Sequence, residues 1–336
     1  MSFSLKRITA PVLATGLLAS SLLVAGTTSA QATTNTTQFA TYTSEAGVSS
    51  NYHVYAENID WAQPVGVVFY LDGDYWFTNQ SKVHSPNNSQ LLGMAEVANE
   101  RNMIFVPVIS PDKDASGNGI TWWQSMDANG DWFRSFASSF IAEAGLDSSN
   151  VWTIGHSGGA EITGFELLAD SQDAWRTGGG SVMVGGGNSN GMQTLPSETA
   201  QDFSLQWYIG SEDGVGATWP IAWSAYGAAE NGYNVYAAAG FNNVDFTVLP
   251  GIQHHNYDFP VILEEALDKV EPKLIGGIGA YYYAQGGADA FGEPVANEYS
   301  IEGGAQQLFR AADGTETLLV WSAETGIVTP VAYVRS

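Results

Sequence analysis

The sequence predicts an α/β fold built around a mostly parallel central sheet. Apolar, β-branched runs alternate with helical segments between residues 64 and 272, and a short Gly-rich turn lies between a strand and a helix at 155–159. A 44% hydrophobic fraction is enough for a sizeable core. Because active sites of such sheets lie beyond the carboxyl ends of the strands, these ends are the first places to search.

The strand candidates are continuous apolar runs, as expected of parallel strands that are covered on both faces. They occupy 65–71, 103–108, 151–154, 181–184, 205–209 and 244–249, and helices are predicted over 89–100, 131–144, the segment from the 155–159 turn to 168, and 260–270. Residues 39–62 alternate in polarity and predict edge strands or a hairpin. Asp131 is the expected N-cap of the second helix.

Both ends of the chain differ in composition from the α/β region. Lys6 and Arg7 precede an apolar stretch and a run of small residues ending at Ala32, which predicts a secretory signal peptide over 1–32; a membrane anchor is the alternative. No later segment is apolar enough to span a bilayer. After Pro272 the chain becomes rich in Gly, Tyr, Ala and Glu. We therefore assign 33–272 to the catalytic domain and 273–336 to an appended module, and expect a secreted protein.

Charge and cysteine content exclude several classes of function. The formal net charge is −24 and no cysteine is present. An acidic surface repels nucleic acid and anionic lipid and disfavours an anionic substrate. A cysteine nucleophile and thiolate metal sites are excluded. The acidic segment 127–131 lacks the later bidentate Glu of a Ca²⁺ loop, so it predicts a turn with an N-cap, and no metal or cofactor is expected.

The segment 155–159 has the sequence Gly-His-Ser-Gly-Gly and fits the pattern G-x-S-x-G. A serine on a sharp strand-to-helix turn needs small neighbours, because the backbone passes close to itself. The following helix N-terminus offers N–H groups where an oxyanion would form. The strand–turn–helix setting therefore predicts Ser157 as a nucleophile.

A serine nucleophile needs a base and an orienting acid, in the chain order serine, acid, histidine for this kind of fold. Asp213 follows the fifth strand and His254 follows the sixth, at the same predicted edge as Ser157. Glu212 is the alternative acid and His255 the alternative base. We predict a catalytic triad of Ser157, Asp213 and His254.

The oxyanion hole requires two backbone N–H groups. The loop after the first central strand reads Leu71-Asp72-Gly73-Asp74, in which Gly73 permits a tight turn. We predict the N–H groups of Asp74 and Gly158 as the donors. The side chains of Asp72 and Asp74 are interpreted as turn formers only.

On these motifs, residues 64–272 resemble a secreted α/β-hydrolase of the serine esterase kind. The Leu-Asp-Gly strand end is similar to that of the mycolyltransferase and esterase-D-like group, where such a loop contributes an oxyanion N–H. The resemblance implies ester hydrolysis or acyl transfer through an acyl-serine.

Six tryptophans lie in segments that follow predicted strand ends. They could form an apolar wall for an acyl chain, stack on sugar rings, or simply pack in the interior: Trp76, Trp122, Trp123, Trp132, Trp219 and Trp223.

Residues 273–330 resemble one LGFP repeat. The resemblance is carried by Ile275-Gly276-Gly277, Tyr281-Tyr282-Tyr283, Gln285-Gly286-Gly287, Phe291-Gly292-Glu293-Pro294, Gly303-Gly304-Ala305-Gln306-Gln307-Leu308-Phe309 and Trp321-Ser322-Ala323-Glu324-Thr325-Gly326. Such repeats occur on exported proteins of mycolate-containing actinobacteria, which implies binding to cell-wall polysaccharide or the envelope. The leading hypothesis is thus an envelope-associated esterase for a neutral, apolar ester. The alternatives are a mycolyl-type acyltransferase and a non-catalytic envelope-binding protein.

Overall fold

The computed structural model describes residues 36–113, 117, 119–270, 272–295 and 297–334. The predicted signal peptide, residues 1–32, lies outside the described residues. Two sheets are present, one formed by residues 37–249 and a smaller one by residues 293–333. No helix within the described ranges is long and apolar enough to cross a membrane.

The large sheet has eight strands in the order β1-β2-β4-β3-β5-β6-β7-β8. β1 and β2 form an antiparallel edge hairpin, β2 also pairs antiparallel with β4, and the remaining pairs are parallel. The strands are β1 (Thr37–Thr43), β2 (Ser49–Val54), β3 (Gly66–Leu71), β4 (Met103–Val108), β5 (Val151–His156), β6 (Gly179–Val184), β7 (Ser204–Gly210) and β8 (Asn243–Leu249). This is an α/β-hydrolase fold, as the sequence predicted.

The helices before residue 272 cover the two faces of this sheet. They are α1 (Ser89–Glu100), α2 (Met126–Ala144), α3 (Gly158–Ile162), α4 (Glu198–Gln201), α5 (Ala225–Ala238) and α6 (Phe259–Asp268), and α3 continues as a π-helical turn over Thr163–Leu167. β3, β4 and β5 are buried along their whole length, because apolar side chains from these helices contact both faces.

Two local predictions are wrong. The second helix begins at Met126 with Ser125 as its N-cap residue, so Asp131 lies inside the helix. The segment 127–131 is therefore helical, and the Asn129 side chain donates a hydrogen bond to the Trp122 carbonyl. The helix α5 was missed, because its Gly- and Asn-containing sequence lacks a strong apolar period.

The second sheet is antiparallel and has its own small core. Its strands are β9 (Glu293–Pro294), β10 (Tyr299–Ile301), β11 (Gly304–Arg310), β12 (Glu316–Ser322) and β13 (Val328–Tyr333), preceded by the helices α7 (Gly276–Ala284) and α8 (Ala288–Phe291). The rings of Tyr282 and Phe309 stack at 4.9 Å in that core. Tyr299 and Tyr333 donate hydrogen bonds to Gln63 and Asp60, which joins this unit to the hydrolase unit.

Candidate active site

The turn between β5 and α3 holds Ser157 in a strained backbone conformation. Ser157 has φ 50° and ψ −116°, which side-chain-bearing residues rarely adopt. A Cβ on Gly155 would lie 2.4 Å from the Gly159 carbonyl oxygen, and a Cβ on Gly159 would lie 2.0 Å from that of Leu71. These two glycines are therefore required by the close passage of the backbone. The turn is a nucleophile elbow.

The structure brings Ser157, His254 and Asp213 into one hydrogen-bonded chain. Ser157 Oγ lies 2.9 Å from His254 Nε2, and His254 Nδ1 lies 2.9 Å from Asp213 Oδ2. Asp213 and His254 are buried, whereas Ser157 is partly exposed. An ionised carboxylate only accepts hydrogen bonds, so Nδ1 carries the proton and Nε2 accepts the serine hydroxyl. This arrangement makes the imidazole a base toward Ser157.

Neither the alternative acid, Glu212, nor the alternative base, His255, takes part in the hydrogen bonds between Ser157, His254 and Asp213. His255 and Glu212 are exposed, and Glu212 accepts a hydrogen bond from the Gln253 amide at 3.0 Å. The buried carboxylate of Asp213 instead receives a second donor, the Tyr257 hydroxyl at 2.6 Å. Tyr257 in turn accepts a hydrogen bond from the Gly210 N–H at 2.9 Å, so it fixes the acid to the end of β7.

The two predicted oxyanion donors lie next to each other. A Cβ on Gly158 would lie 2.3 Å from Asp74 Oδ1, which places the loop after β3 against the first turn of α3. Among the described residues, neither the Asp74 N–H nor the Gly158 N–H donates a hydrogen bond to the protein. Both groups are therefore free to stabilise an oxygen that becomes negatively charged near Ser157.

The carboxylate of Asp72 anchors this loop, although the sequence suggested only a turn former. Asp72 is fully buried, and burial alone would raise its pKa, but the ammonium of Lys82 and several hydrogen bonds hold that pKa well below its usual range. Six donors contact the two oxygens: Tyr70 Oη, Gly73 N, Tyr75 Oη, Ser81 Oγ, Lys82 N and Lys82 Nζ. The loop that carries the Asp74 N–H is thus held from both ends.

Two further acidic groups lie beside the elbow: Glu161 is buried, whereas Asp74 keeps an exposed surface. Burial raises the pKa of Glu161 to about 7, although the N–H groups of Gly187 and Asn188 donate to its carboxylate. Burial likewise raises the pKa of Asp74 to about 6, while the Trp122 N–H donates to Asp74 Oδ1 at 2.7 Å. The hydrogen bond from Trp122 ties the oxyanion loop to the segment after β4.

His156 contacts His254 through its ring and through a hydrogen bond to the backbone. Its Nε2 lies 3.2 Å from the His254 carbonyl oxygen, and the two rings are 5.1 Å apart. Burial lowers the pKa of His156 well below its usual value, so the ring is neutral. A neutral ring with its proton on Nε2 donates to that carbonyl and helps to fix the backbone at residue 254.

The six tryptophans that follow strand ends have different environments. Trp122 and Trp132 are buried in the core, and Trp223 is partly buried with its ring 5.6 Å from that of His254. Trp76, Trp123 and Trp219 are exposed. The prediction of ordinary packing therefore holds for Trp122 and Trp132, whereas the three exposed rings belong to the surface beside the site.

Sequence reasoning missed Tyr257, Glu161 and the structural role of Asp72. Tyr257 lies three residues after His254 in a loop, and nothing in the spacing indicates that it contacts Asp213. Glu161 follows Ser157 by one helical turn, so its position beneath the elbow follows from the helix that the motif predicts. The sequence held one signal for the role of Asp72: Lys82 is one of only 11 basic residues in an acidic protein, so a nearby carboxylate is its expected partner.

The structure shows no group of three or more His, Asp or Glu side chains placed to hold a metal ion, among the residues that it describes. Two surface cavities of about 450 and 400 Å³ are lined by residues remote from Ser157. The first lies between the two units and is bordered by Pro64, Asp147 and Tyr299.

Comparisons with known proteins give distant structural likenesses. No protein-family model matches the chain, and no curated protein sequence matches it either. The chain is similar in structure to LpqC, a poly(3-hydroxybutyrate) depolymerase from Bordetella parapertussis, with 15% identity, 70% of this chain and 91% of that chain covered, and a TM-score of 0.47. It is similar to the Bacillus cereus carboxylesterase, with 17% identity, 65% and 94% coverage, and a TM-score of 0.45. A third similar structure is XC6422 from Xanthomonas campestris, described as a serine hydrolase without a lid, with 16% identity, 69% and 93% coverage, and a TM-score of 0.40.

Proposed function

We propose that this protein is a serine hydrolase that cleaves carboxylic esters through an acyl-serine intermediate. The single observation that carries the proposal is the hydrogen-bonded chain from Ser157 through His254 to Asp213 on a strained elbow. The two unused N–H groups of Asp74 and Gly158 add the electrostatic component that such a reaction needs.

The proposed reaction has two halves. Ser157 Oγ attacks the ester carbonyl carbon while His254 Nε2 takes the hydroxyl proton, and the carbonyl oxygen becomes an oxyanion next to the Asp74 and Gly158 N–H groups. The C–O bond to the alcohol then breaks, and the alcohol leaves with the proton from His254. A water molecule attacks the acyl-serine in the same way, which releases the acid and regenerates Ser157. Asp213 keeps Nδ1 protonated and stabilises the imidazolium.

Turnover of p-nitrophenyl esters tests this proposal. We expect the wild-type chain to hydrolyse short p-nitrophenyl esters and Ser157→Ala to lose at least about 10³-fold in kcat. Equal turnover by both proteins would overturn the proposal. Absence of turnover in the wild type would favour the non-catalytic alternative. If an added polyol outcompetes water for the acyl group, the proposed reaction would be acyl transfer instead of hydrolysis.

We further propose that the protein is secreted and associates with the cell envelope. The support is the signal-like segment 1–32 and the resemblance of residues 273–330 to an LGFP repeat. Exposed apolar side chains of that unit, such as Tyr283 and Ile327, are suited to contact a polysaccharide. We expect the substrate to be a neutral, apolar ester of the envelope; the net charge of −24 disfavours an anionic one.

Fractionation and sedimentation test this second proposal. We expect the full chain to accumulate outside the cytoplasm and a chain lacking residues 1–32 to stay inside. We also expect the protein to co-sediment with insoluble cell-wall polysaccharide, and a Tyr283→Ser, Ile327→Ser variant to sediment less. Sedimentation that is absent, or unaffected by the double variant, would contradict the assignment of envelope binding to this unit.

A further inference from the structure

Three loops at the carboxyl edge of the large sheet form an exposed apolar surface beside Ser157. They are residues 75–81 after β3, 119–125 after β4 and 214–224 after β7, and we call them together the rim. Six large apolar side chains of the rim are between 52% and 72% exposed: Trp76, Phe77, Trp123, Val215, Trp219 and Ile221. Large apolar side chains exposed together, rather than singly, mark an interaction surface.

The rim is joined to the catalytic machinery by direct contacts. Tyr75 and Ile120 exchange two backbone hydrogen bonds, at 3.0 and 3.1 Å, which pairs the first loop with the second. Both loops are tied to the oxyanion loop, because the Trp122 N–H donates to Asp74. The third loop begins after Asp213 and contains Trp223, whose ring centroid lies 5.6 Å from that of His254. A molecule that rests on the rim therefore lies over the nucleophile.

The rim also differs from the rest of the chain in charge. In the whole sequence 14% of the residues are charged and acidic residues outnumber basic ones by 35 to 11, yet the three rim segments themselves contain no Asp, Glu, Lys or Arg. The nearest charged residues lie outside the segments: Asp74 and Lys82 flank the first, Lys113 pairs with Ile120 of the second, and Asp213 precedes the third. An anionic surface gains nothing from such a rim and is repelled by the acidic surroundings. A neutral apolar surface pays no such electrostatic cost, and it covers the exposed rings from water.

We propose that the rim adsorbs to the surface of a water-insoluble, neutral aliphatic ester, so that the enzyme acts on aggregated substrate more effectively than on dissolved substrate. This inference rests on the proposed esterase function, because the occupant of the rim must present an ester to Ser157. It names a substrate class, aggregated neutral esters, and a mode of binding that the triad alone does not require.

Tributyrin below and above its solubility limit provides the test. We expect the rate of the wild type to rise steeply once droplets form. In the double variant Trp76→Ser, Ile221→Ser we expect about a tenfold or larger loss on droplets, because two of the exposed apolar contacts are removed. Turnover of dissolved p-nitrophenyl acetate is expected to stay within about twofold of wild type, since neither side chain contacts the triad.

A matched control replaces two exposed apolar side chains outside the rim. Leu92 and Val261 are exposed on α1 and α6, and Leu92→Ser, Val261→Ser is expected to keep wild-type activity on droplets. The inference is overturned if the rim variant retains activity on droplets, if it loses both activities in proportion, or if the control variant shows the same loss.

Adsorption measured without catalysis separates this inference from the proposed function. Ser157→Ala is expected to sediment with tributyrin droplets, and the same chain with the two rim substitutions is expected to remain in solution. Neither protein should bind vesicles of phosphatidylglycerol. If Ser157→Ala adsorbs to droplets but the wild type hydrolyses no ester, the proposed esterase function is refuted and the adsorbing role of the rim is retained. If Ser157→Ala does not adsorb to droplets, or binds the anionic vesicles equally well, the proposal that the rim adsorbs to neutral ester surfaces is refuted.

Discussion

The floor and the rim of the candidate site are built in opposite ways. The floor consists of buried charged and polar groups, including Asp213, His254 and Asp72, each held by several hydrogen bonds. The rim consists of uncharged loops whose large apolar side chains point away from the core. The polar groups of the floor are hydrogen-bonded because an unpaired buried polar group is costly, whereas the exposed rings of the rim are free of that constraint. In the proposed function the floor carries the chemistry, and in the proposed adsorption the rim selects the substrate.

Asp213→Asn tests the floor with the largest expected effect. An amide in place of the carboxylate favours the wrong tautomer of His254, so kcat should fall roughly 10⁴-fold. KM should change little, because the interaction matters mainly in the transition state. Steady-state kinetics with p-nitrophenyl acetate measure both constants. Glu212→Gln, next to it but exposed, serves as control and should behave as wild type; an equal loss in both variants would contradict the assignment of Asp213.

Asp72→Asn tests whether the oxyanion loop is anchored by one carboxylate. The substitution leaves Lys82 without its partner and disturbs several donors, which should lower the free energy of unfolding by about 3 to 5 kcal/mol. At temperatures where the variant is folded, a displaced Asp74 N–H should reduce kcat about 10²-fold with KM nearly unchanged. Urea unfolding and kinetics measure the two effects.

Lys82→Met is the comparison for that variant. It retains the carboxylate of Asp72 and its hydrogen bonds from Tyr70, Tyr75 and Ser81. Its losses in stability and kcat should both be smaller than those of Asp72→Asn. A larger loss in Lys82→Met, or full kcat in Asp72→Asn, would contradict the anchoring role.

Glu161→Gln tests the buried acid beneath the elbow through pH. The folded-state pKa of Glu161 is raised to about 7 from an ordinary value of 4.5. The folded state then binds the proton more tightly, so this contribution to stability is present below about pH 4.5 and is lost as pH rises through 7. The glutamine variant should remove that decline, on the order of 2 to 3 kcal/mol between pH 5 and 8.

Urea midpoints measured across this pH range decide the point. The exposed carboxyl of Glu57, changed to glutamine, is the matched control and should leave the pH profile as in wild type. A Glu161→Gln profile parallel to wild type would show that the carboxyl does not hold its proton in the folded protein.

The floor was largely predictable from sequence, and the rim was not. Gly155-His156-Ser157-Gly158-Gly159 imposes an elbow, and chain order then leaves few candidates for the acid and the base. Asp213 and His254 are at strand ends, which is why their meeting point could be inferred from the topology alone. Tyr257 and all the donors to Asp72 except Tyr70, which is on β3, depend on the conformation of segments between the strands, for which short-range sequence signals are weak.

The exposure of Trp76 and Trp219, against the burial of Trp122 and Trp132, is a further example. All four follow strand ends, and composition alone cannot tell a core ring from a surface ring. For Trp132 the burial follows from helix α2, which begins at Met126 and so places this ring in the core against the sheet.

Labelling with a fluorophosphonate probe tests the central claim most directly. An activated serine attacks phosphorus and forms a stable covalent adduct, whereas an ordinary serine hydroxyl does not react. We predict one adduct per chain by intact mass, located on the peptide that contains Ser157, and none in Ser157→Ala or His254→Ala. His255→Ala should label as wild type. An unlabelled wild-type chain, or an adduct that persists in Ser157→Ala, would contradict the assignment of Ser157 as the nucleophile.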